Sequence, residues 1–356
     1  MSRLHQWIPV LDPGDAASNH TLLMQQLLHD MGVESDIYTD ETHPSLAGRT
    51  KPYRDYAGGP VLYQMAIGSP MADLLNARPD ALAIDYHNFT PSEFFEAWDP
   101  PLVHGTAWGR RQMGMLAHRT SLGLAVSKFN EGELIESGYR NTAVAPLLLD
   151  LAMFERELDR TELDRLHAGK GNGHDWLFVG RIVPNKCQHD VVKAFAAWRR
   201  GGGEGRLFLV GGASSNRYET ALKRFVDGLG LDGEITMTGP LPSPKLAAHL
   251  ANADVFVCLS GHEGFCVPIV EAMYRRVPVV AYDAAAVGDT VGSGGIVLPD
   301  KDVASVATAV DMITSDPDLR DRLVAAGRRR VGDFALDHTR ARRRELVEPW
   351  LAEVAR

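Results

Sequence analysis

The sequence predicts an α/β protein with two Rossmann-like, doubly wound parallel-sheet domains that face a central cleft. Short apolar runs alternate with amphipathic stretches along the chain, as is typical of repeated βα units. The 356 residues also exceed what one hydrophobic core usually serves. A polar, glycine-bearing stretch over residues 159–175 shows no core pattern, so the boundary is placed there. The predicted domains span residues 1–160 and 161–334, and a helix over 335–356 packs back on the first.

The individual elements follow from the apolar runs. In the first domain we predict strands at residues 7–11, 36–39, 61–66, 82–86, 122–126 and 143–147. In the second domain we predict strands at residues 176–180, 207–211, 235–238, 255–260, 279–282 and 296–298. Helices are predicted after the first strand, where Asn19 or Thr21 would cap the helix, and over residues 191–198 and 218–229. In the last segment Val347, Trp350 and Leu351 lie at helical spacing and predict a buried face.

Charge and composition exclude some classes of protein. A formal net charge of −9 argues against a chain that mainly coats nucleic acid. The arginine runs 328–330 and 342–344 are interpreted chiefly as solvated helix faces, with contact to an anionic substrate or membrane left open.

The compartment is inferred from the cysteines and the apolar segments. The three cysteines show neither zinc-ligand spacing nor a disulfide pattern, which favours a reducing compartment. We find no signal-peptide pattern and no apolar stretch long enough to span a bilayer. The expected location is the cytoplasm, with peripheral association at the inner face of the membrane left open.

The most informative motif is the segment 261–272, which follows a predicted buried strand. Glu263 lies in its loop, and Glu271 lies one turn inside a helix that Pro268 can begin. The backbone N–H groups of Phe265, Cys266 and Val267 would lie at the positive end of that helix. A carboxylate can accept hydrogen bonds from two neighbouring hydroxyls of a ribose or hexose, so both carboxylates are candidate sugar contacts. Alone, either glutamate could be an ordinary loop or helix charge.

Two further strand ends of the second domain carry candidate residues. Gly180 and Arg181 end one strand, and Lys186 follows in a short loop, so the two cations suit a diphosphate. Gly211 and Gly212 end the next strand, where glycine allows a ligand to approach the backbone. Ordinary turns explain these two glycines equally well.

In the first domain, two candidate segments follow strands. The loop 12–20 contains Gly14 and Asp15, and it joins the first strand to the first helix. His87 ends another strand, on the side expected to face the cleft. A lone histidine is more often structural than catalytic.

At these residues the sequence resembles the retaining glycosyltransferases of family 4, which belong to the group 1 glycosyl transferases and have the GT-B fold. Glu263 and Glu271, inside an E-G-F-x-x-P-x-x-E-A string, carry the resemblance. Gly180, Arg181 and Lys186 support it in order and spacing, and so do Gly211 and Gly212. The second half of the chain matches throughout, and the first half matches less strongly.

The resemblance implies a role for each matching residue. Glu271 would hold the nucleotide ribose, Glu263 would lie by the donor sugar, and Arg181 and Lys186 would stabilise the diphosphate. The donor would further contact Gly180, Phe265, Cys266, Val267, Gly211, Gly212 and the base-contacting Leu241. His87 would point at the donor sugar from the N-terminal, acceptor-side domain, and Gly14 and Asp15 would approach the phosphate.

The resemblance also implies a reaction. A hexose would pass from a UDP- or GDP-linked donor to a hydroxyl acceptor with retention, with no metal and no cofactor. The acceptor would be a sugar, a glycolipid or a small molecule, in glycan, glycolipid or cell-surface polysaccharide biosynthesis. Cys266 stands where many relatives have glycine, near the donor sugar, so the identity of the sugar remains open. The first loop also lacks the double glycine that many relatives carry. The oligomeric state is not readable.

Three alternative functions have to be compared with this one. An inactive nucleotide-sugar-binding module would not need the retained charged residues. A Rossmann oxidoreductase needs Gly-x-Gly-x-x-Gly after a strand, which neither 201–206 nor 292–295 completes. A metal-dependent transferase needs Asp-x-Asp at a strand end, whereas the matches at 300–302 and 316–318 have the pattern of helix starts.

Overall fold

A computed structural model of the chain describes residues 2–155 and 157–354. These residues divide into two compact units, which are described separately. The N-terminal unit comprises Met1–Glu93, Pro101–Leu149 and Phe334–Arg356, and the C-terminal unit comprises Phe94–Pro100 and Asp150–Asp333. The predicted boundary near residue 160 stays a prediction.

The N-terminal unit contains a parallel sheet of seven strands in the order β3-β2-β1-β4-β5-β6-β7. The strands are β1 (His5–Leu11), β2 (Ile37–Thr42), β3 (Lys51–Pro52), β4 (Val61–Met65), β5 (Leu82–Tyr86), β6 (Thr120–Ala125) and β7 (Thr142–Val144). Its first four helices are α1 (Ala16–Asp30), α2 (Pro70–Ala77), α3 (Pro100–Leu116) and α4 (Lys128–Glu136). Every residue of β4 and β5 is buried, as expected for central strands with both faces covered.

The C-terminal unit contains a parallel sheet of six strands in the order β10-β9-β8-β11-β12-β13. The strands are β8 (His174–Val179), β9 (Gly205–Val210), β10 (Ile235–Gly239), β11 (Val255–Cys258), β12 (Val279–Tyr282) and β13 (Gly295–Leu298). The helices are α5 (Arg160–Lys170), α6 (Gln188–Arg200), α7 (Asn216–Gly228), α8 (Ser243–Asn252), α9 (Val267–Tyr274), α10 (Val287–Val291), α11 (Val303–Ser315) and α12 (Pro317–Gly332). The prediction of two parallel-sheet α/β domains is therefore confirmed.

The last helix, α13 (Leu336–Val354), buries the predicted apolar face through Val347, Trp350 and Leu351. These side chains belong to a core cluster that includes Leu4 and Met24 of the N-terminal unit. The indole N–H of Trp350 donates a hydrogen bond of 2.8 Å to the Ser121 hydroxyl. The described helices include none that is long and apolar enough to cross a membrane.

Three local expectations were wrong. The cap of α1 is Asp15, whose carboxylate accepts from the Ser18 N–H at 3.0 Å, rather than Asn19 or Thr21. The segment 159–175 is not free of core, because Leu163 and Leu166 of α5 are buried. The strand β3 was not predicted, since two exposed residues carry no hydrophobic pattern.

Candidate active site

The order of the C-terminal sheet determines where a ligand can bind. The chain runs outward from β8 to β9 and β10, and then returns to add β11, β12 and β13 on the other side of β8. The strands β8 and β11 are therefore neighbours whose following loops diverge. In such sheets the ligand crevice lies beyond the carboxyl ends of these two strands. The segments that follow β8 and β11 contain Arg181, Lys186 and Glu263.

Lys186 and Glu263 meet at this point. The Lys186 ammonium lies 2.6 and 2.5 Å from the two carboxylate oxygens of Glu263. Lys186 ends a 3-10 turn, Pro184–Lys186, which holds its loop close to the one after β11. The Gly261 N–H donates to the carbonyl of Asn185 at 2.8 Å, and the Asn185 amide donates to the carbonyl of His262 at 3.2 Å. The ion pair thus joins two loops that the backbone already holds together.

The ion pair is largely withdrawn from water. The side chains of Lys186 and Glu263 are 19% and 7% exposed. Burial disfavours the charged ammonium, but the nearby Glu263 carboxylate outweighs this effect and raises the pKa of Lys186. Lys186 therefore stays protonated at neutral pH, and the pair has no net charge.

Arg181 differs from Lys186 in its surroundings. Its side chain is exposed at the end of β8, and its backbone carbonyl accepts a hydrogen bond of 2.7 Å from Gln188. Within the part of the chain that the structure describes, its guanidinium has no salt-bridge partner. Arg181 is thus a cation whose charge is not already balanced by a carboxylate.

The predicted helix after β11 is α9, and Pro268 lies in its first turn as expected. Phe265 and Cys266 are buried just before it, and Val267 begins it. Cys266 adopts the left-handed conformation, with φ 72°. The Thr290 hydroxyl donates to the carbonyl of Phe265, which fixes this loop. Glu271 is buried within the helix, with 7% of its surface exposed.

Of the glycines after β8 and β9, Gly211 has a structural explanation. A Cβ on Gly211 would lie 2.0 Å from the carbonyl oxygen of Gly180, so the two strand ends can approach only with glycine there. Gly212 has ordinary space around it. Leu241, predicted to contact the base, is partly buried. The ligand contacts predicted for these residues stay predictions.

The N-terminal unit has a buried charged network beside His87. Asp85 and Arg343 are completely buried and form an ion pair, in which the Arg343 Nη2 donates to Asp85 Oδ1 at 3.3 Å. Arg343 also donates to the carbonyls of Pro146 and Ala145, at 3.0 and 2.7 Å. The expectation of a solvated face for this arginine was wrong, although Arg344 next to it is exposed.

His20 is the third member of this network. The Leu148 N–H donates to His20 Nδ1 at 3.0 Å, so the proton of the neutral ring is on Nε2. That proton points to Asp85 Oδ2, 3.0 Å away. Burial and the Arg343 charge lower the pKa of His20 to about 4. Although burial opposes its charge, Arg343 and His20 lower the pKa of Asp85.

The protonation of His87 follows from a chain of amides. The Gln6 amide donates to the Thr21 carbonyl at 3.1 Å, and the Gln64 amide donates to the Gln6 side-chain oxygen at 2.9 Å. The Gln64 oxygen must therefore accept from His87 Nε2, which lies 2.7 Å away. Burial lowers the pKa of His87 to about 4, so the ring is neutral at pH 7. Its Nδ1 is left as the acceptor.

The loop after β1 has a clear structural role. Gly14 has φ 85°, which favours glycine. Asp15 caps α1, and its carboxylate is among the charges that act on His87. No local pattern marks Arg343 and Asp85 as partners, because nothing in the sequence shows that one arginine of a run reaches a strand end. No role was predicted for His20, which lies in the predicted loop 12–20, or for Cys258.

The helix starts predicted for the two Asp-x-Asp matches are confirmed. Asp302 caps α11 by accepting from the Ser305 N–H at 2.8 Å, and Asp316 caps α12 by accepting from the Leu319 N–H at 2.9 Å. These carboxylates lie at helix N-termini rather than at strand ends.

The chain is also similar in sequence to known glycosyltransferases. Residues 159–330 match the model of the family described as glycosyl transferases group 1. A GDP-mannose-dependent alpha-(1-6)-phosphatidylinositol monomannoside mannosyltransferase of Mycolicibacterium smegmatis is 31% identical over 55% of this chain and 52% of its own length. A D-inositol 3-phosphate glycosyltransferase of Kineococcus radiotolerans is 28% identical over 67% of this chain and 64% of its own length. The chain thus spans between about half and two thirds of these relatives.

The fold is also found in solved structures. The sucrose-phosphate synthase of Thermosynechococcus elongatus superposes with a TM-score of 0.75 at 18% identity, covering 99% of this chain and 100% of that one. At this level of identity the similarity concerns the fold. Residues 159–330 of this chain are thus similar to the group 1 glycosyl transferases, and its two parallel-sheet units have the GT-B fold.

Proposed function

We propose that this chain transfers a hexose from a nucleotide diphosphate sugar to a hydroxyl acceptor, with retention of the anomeric configuration. The observation that carries the proposal is the meeting of Lys186 and Glu263 beyond the carboxyl ends of β8 and β11, with exposed Arg181 in the same segment as Lys186. This position is where an open parallel sheet binds its ligand. The diphosphate would lie near the two cations, and the sugar near Glu263.

The charges of the site indicate which of the two cations contributes more to diphosphate binding. The Lys186–Glu263 pair is neutral, so it adds little net attraction for a dianionic diphosphate. Arg181 supplies a charge that no carboxylate of the described residues balances, and its planar fork suits phosphate oxygens. We therefore assign the larger part of diphosphate binding to Arg181. Lys186 holds Glu263 in place and contacts the leaving phosphate.

The proposed reaction is a front-face substitution. The acceptor oxygen bonds to the anomeric carbon as the bond from that carbon to the phosphate oxygen breaks. The departing phosphate oxygen takes the proton of the acceptor, and the nucleoside diphosphate leaves. Glu263 is held through both oxygens by Lys186, which makes it a poor nucleophile. This favours a mechanism without a covalent glycosyl-enzyme.

Fixed cations would stabilise the leaving group, so we propose that neither a metal nor a cofactor is required. His87 would present its neutral ring to the donor sugar, as the resemblance implies. Glu271 would bind the ribose. The names of the two relatives favour a GDP-linked hexose and an acceptor that contains inositol, among the UDP and GDP donors expected. A cytoplasmic location, with contact to the inner face of the membrane, also belongs to the proposal.

A transfer assay tests the function. The full chain is incubated with UDP-glucose or GDP-mannose and with inositol-containing or simple sugar acceptors, with and without EDTA. We expect release of nucleoside diphosphate together with a glycosylated product, unchanged by EDTA, and an NMR coupling constant that shows retention. Inversion would contradict the mechanism. Loss of activity in EDTA that Mg²⁺ restores would contradict metal independence.

A further inference from the structure

Two cysteines of the C-terminal unit face each other close to the Glu263 carboxylate. The sulfur atoms of Cys258, at the end of β11, and Cys266, just before α9, lie 4.0 Å apart. Both are buried, with 1% and 8% of their surface exposed. The two sulfurs and a carboxylate oxygen of Glu263 lie within 4.8 Å of one another. We propose that Cys258 and Cys266 form an oxidisable dithiol, which hydrogen peroxide converts to a disulfide.

The environment favours reaction between these two thiols. Cys258 also contacts the Ser260 hydroxyl, with 3.4 Å between sulfur and oxygen. The hydrogen bond with Cys266 lowers the pKa of Cys258, whereas the same bond and burial raise the pKa of Cys266. Cys258 is thus the better thiolate, and Cys266 keeps its proton. A low thiol pKa is what makes a cysteine react with peroxide.

The reaction has two steps. The Cys258 thiolate attacks one oxygen of hydrogen peroxide, the O–O bond breaks, and a sulfenic acid and hydroxide form. The sulfur of Cys266 then attacks the sulfenic sulfur, and hydroxide leaves with the proton of Cys266 as water. The hydroxide of the first step takes up the proton that the Cys258 thiol released. The two thiols lose two electrons in total, and the peroxide is reduced to two molecules of water.

Disulfide formation would disturb the proposed donor site. A disulfide bond is about 2 Å long, so the sulfurs must approach by a further ~2 Å. Cys258 is fixed in the central sheet, so the loop before α9 must move. This loop presents Glu263 and the N–H groups near Phe265. Displacing catalytic groups by about 1 Å can cost on the order of 100-fold in activity, and we expect a loss of that size. The loss of activity, unlike the disulfide, rests on the proposed function.

The third cysteine provides a matched control. Cys187 is also buried, and its sulfur lies 3.5 Å from the Pro184 carbonyl rather than near another thiol. Burial raises the pKa of Cys187. It has no partner sulfur among the described residues and should stay reduced.

Peptide mass spectrometry of the peroxide-treated protein tests the disulfide without any substrate. We expect a cross-linked peptide joining residues 258 and 266, with loss of two hydrogen atoms, reversed by dithiothreitol. It should form equally in Cys187→Ser and should be absent in Cys258→Ser. Because the pair is buried, the larger glutathione disulfide should react far more slowly than peroxide. No cross-link, or oxidation of Cys187 first, would overturn the proposal.

The sugar-transfer activity is measured separately on the same samples. Peroxide should lower transfer in the wild type and in Cys187→Ser but not in Cys258→Ser, whose untreated fold is checked by circular dichroism. A cross-link that forms with no loss of transfer would overturn the proposed effect on the site. A cross-link in a chain that transfers no sugar before treatment would leave the dithiol established and contradict the proposed function alone.

Discussion

The two units use charged residues at the ends of their strands in different ways. In the N-terminal unit, Asp85 and Arg343 are completely buried and satisfy each other. In the C-terminal unit, Lys186 is 19% exposed, and Arg181, five positions earlier in the same segment, is exposed. The buried pair of the N-terminal unit therefore stabilises the fold and orients the side chains around it, whereas the charges of the C-terminal unit remain accessible to a charged ligand. Substitutions in the first should change stability, and substitutions in the second should change binding.

The largest expected effect is on the buried ion pair. Asp85→Ala leaves the Arg343 guanidinium buried without its carboxylate, and we expect a loss of about 3–5 kcal/mol in the free energy of unfolding. Urea unfolding of the full chain measures this loss. Replacing the exposed neighbour, Arg344→Met, should change the free energy of unfolding by less than about 0.5 kcal/mol.

The double variant Asp85→Leu with Arg343→Met keeps the prediction testable if Asp85→Ala does not fold. Removing both charges should recover most of the lost stability, because the penalty comes from the unpaired charge. A double variant as unstable as the single one would show that the pair is required for another reason.

The next effect is on the pH dependence of stability. The folded protein lowers the pKa of His20 and of His87 from 6.5 to about 4, so between these values the unfolded chain binds more protons. Stability should therefore fall as the pH decreases from 6.5 towards 4. Burial also lowers the pKa of His5, His189 and His249, which add to the slope. Across this range the urea midpoints of His20→Gln should depend less on pH than those of the wild type. The midpoints of the exposed control His43→Gln should depend on pH as strongly as those of the wild type.

The smallest effect separates two roles of Asp15. Because Asp15 caps α1, Asp15→Ala should lower the free energy of unfolding by about 1 kcal/mol. Asp15→Asn keeps a capping side chain and should keep the stability of the wild type. Thermal unfolding measures both variants. If Asp15→Asn is stable but binds the nucleotide sugar more weakly, the carboxylate contacts the donor; unchanged binding would leave capping as its role.

The sequence predicted regular features well because their signals are local. Twelve strands follow from apolar runs, and Pro268 marks the start of α9. The segment 261–272 also made Glu263 a candidate, and this carboxylate pairs with Lys186. Contacts that join distant parts of the chain were not predictable. Arg343 and Asp85 are separated by 258 positions, and nothing local distinguishes Arg343 from the exposed Arg344.

The same limit applies to the thiol pair. Cys258 and Cys266 are eight positions apart, a spacing typical of neither a disulfide framework nor a zinc site. They meet because the chain leaves β11, forms the loop containing Glu263, and returns over the strand end to begin α9. Cys266 adopts the left-handed conformation in this return. Glycine and asparagine are the residues that usually indicate this conformation in a sequence, so it could not be predicted at a cysteine.

The most direct test of the central claim is calorimetric titration of the full chain with UDP and with GDP. We expect saturable binding of one of the two at a single site, equal in the wild type and in the exposed control Arg224→Ala. Arg181→Ala should bind about tenfold to 100-fold more weakly, since it loses a charge-assisted contact with the diphosphate. Binding of neither nucleotide, or equal affinity in Arg181→Ala, would contradict the account.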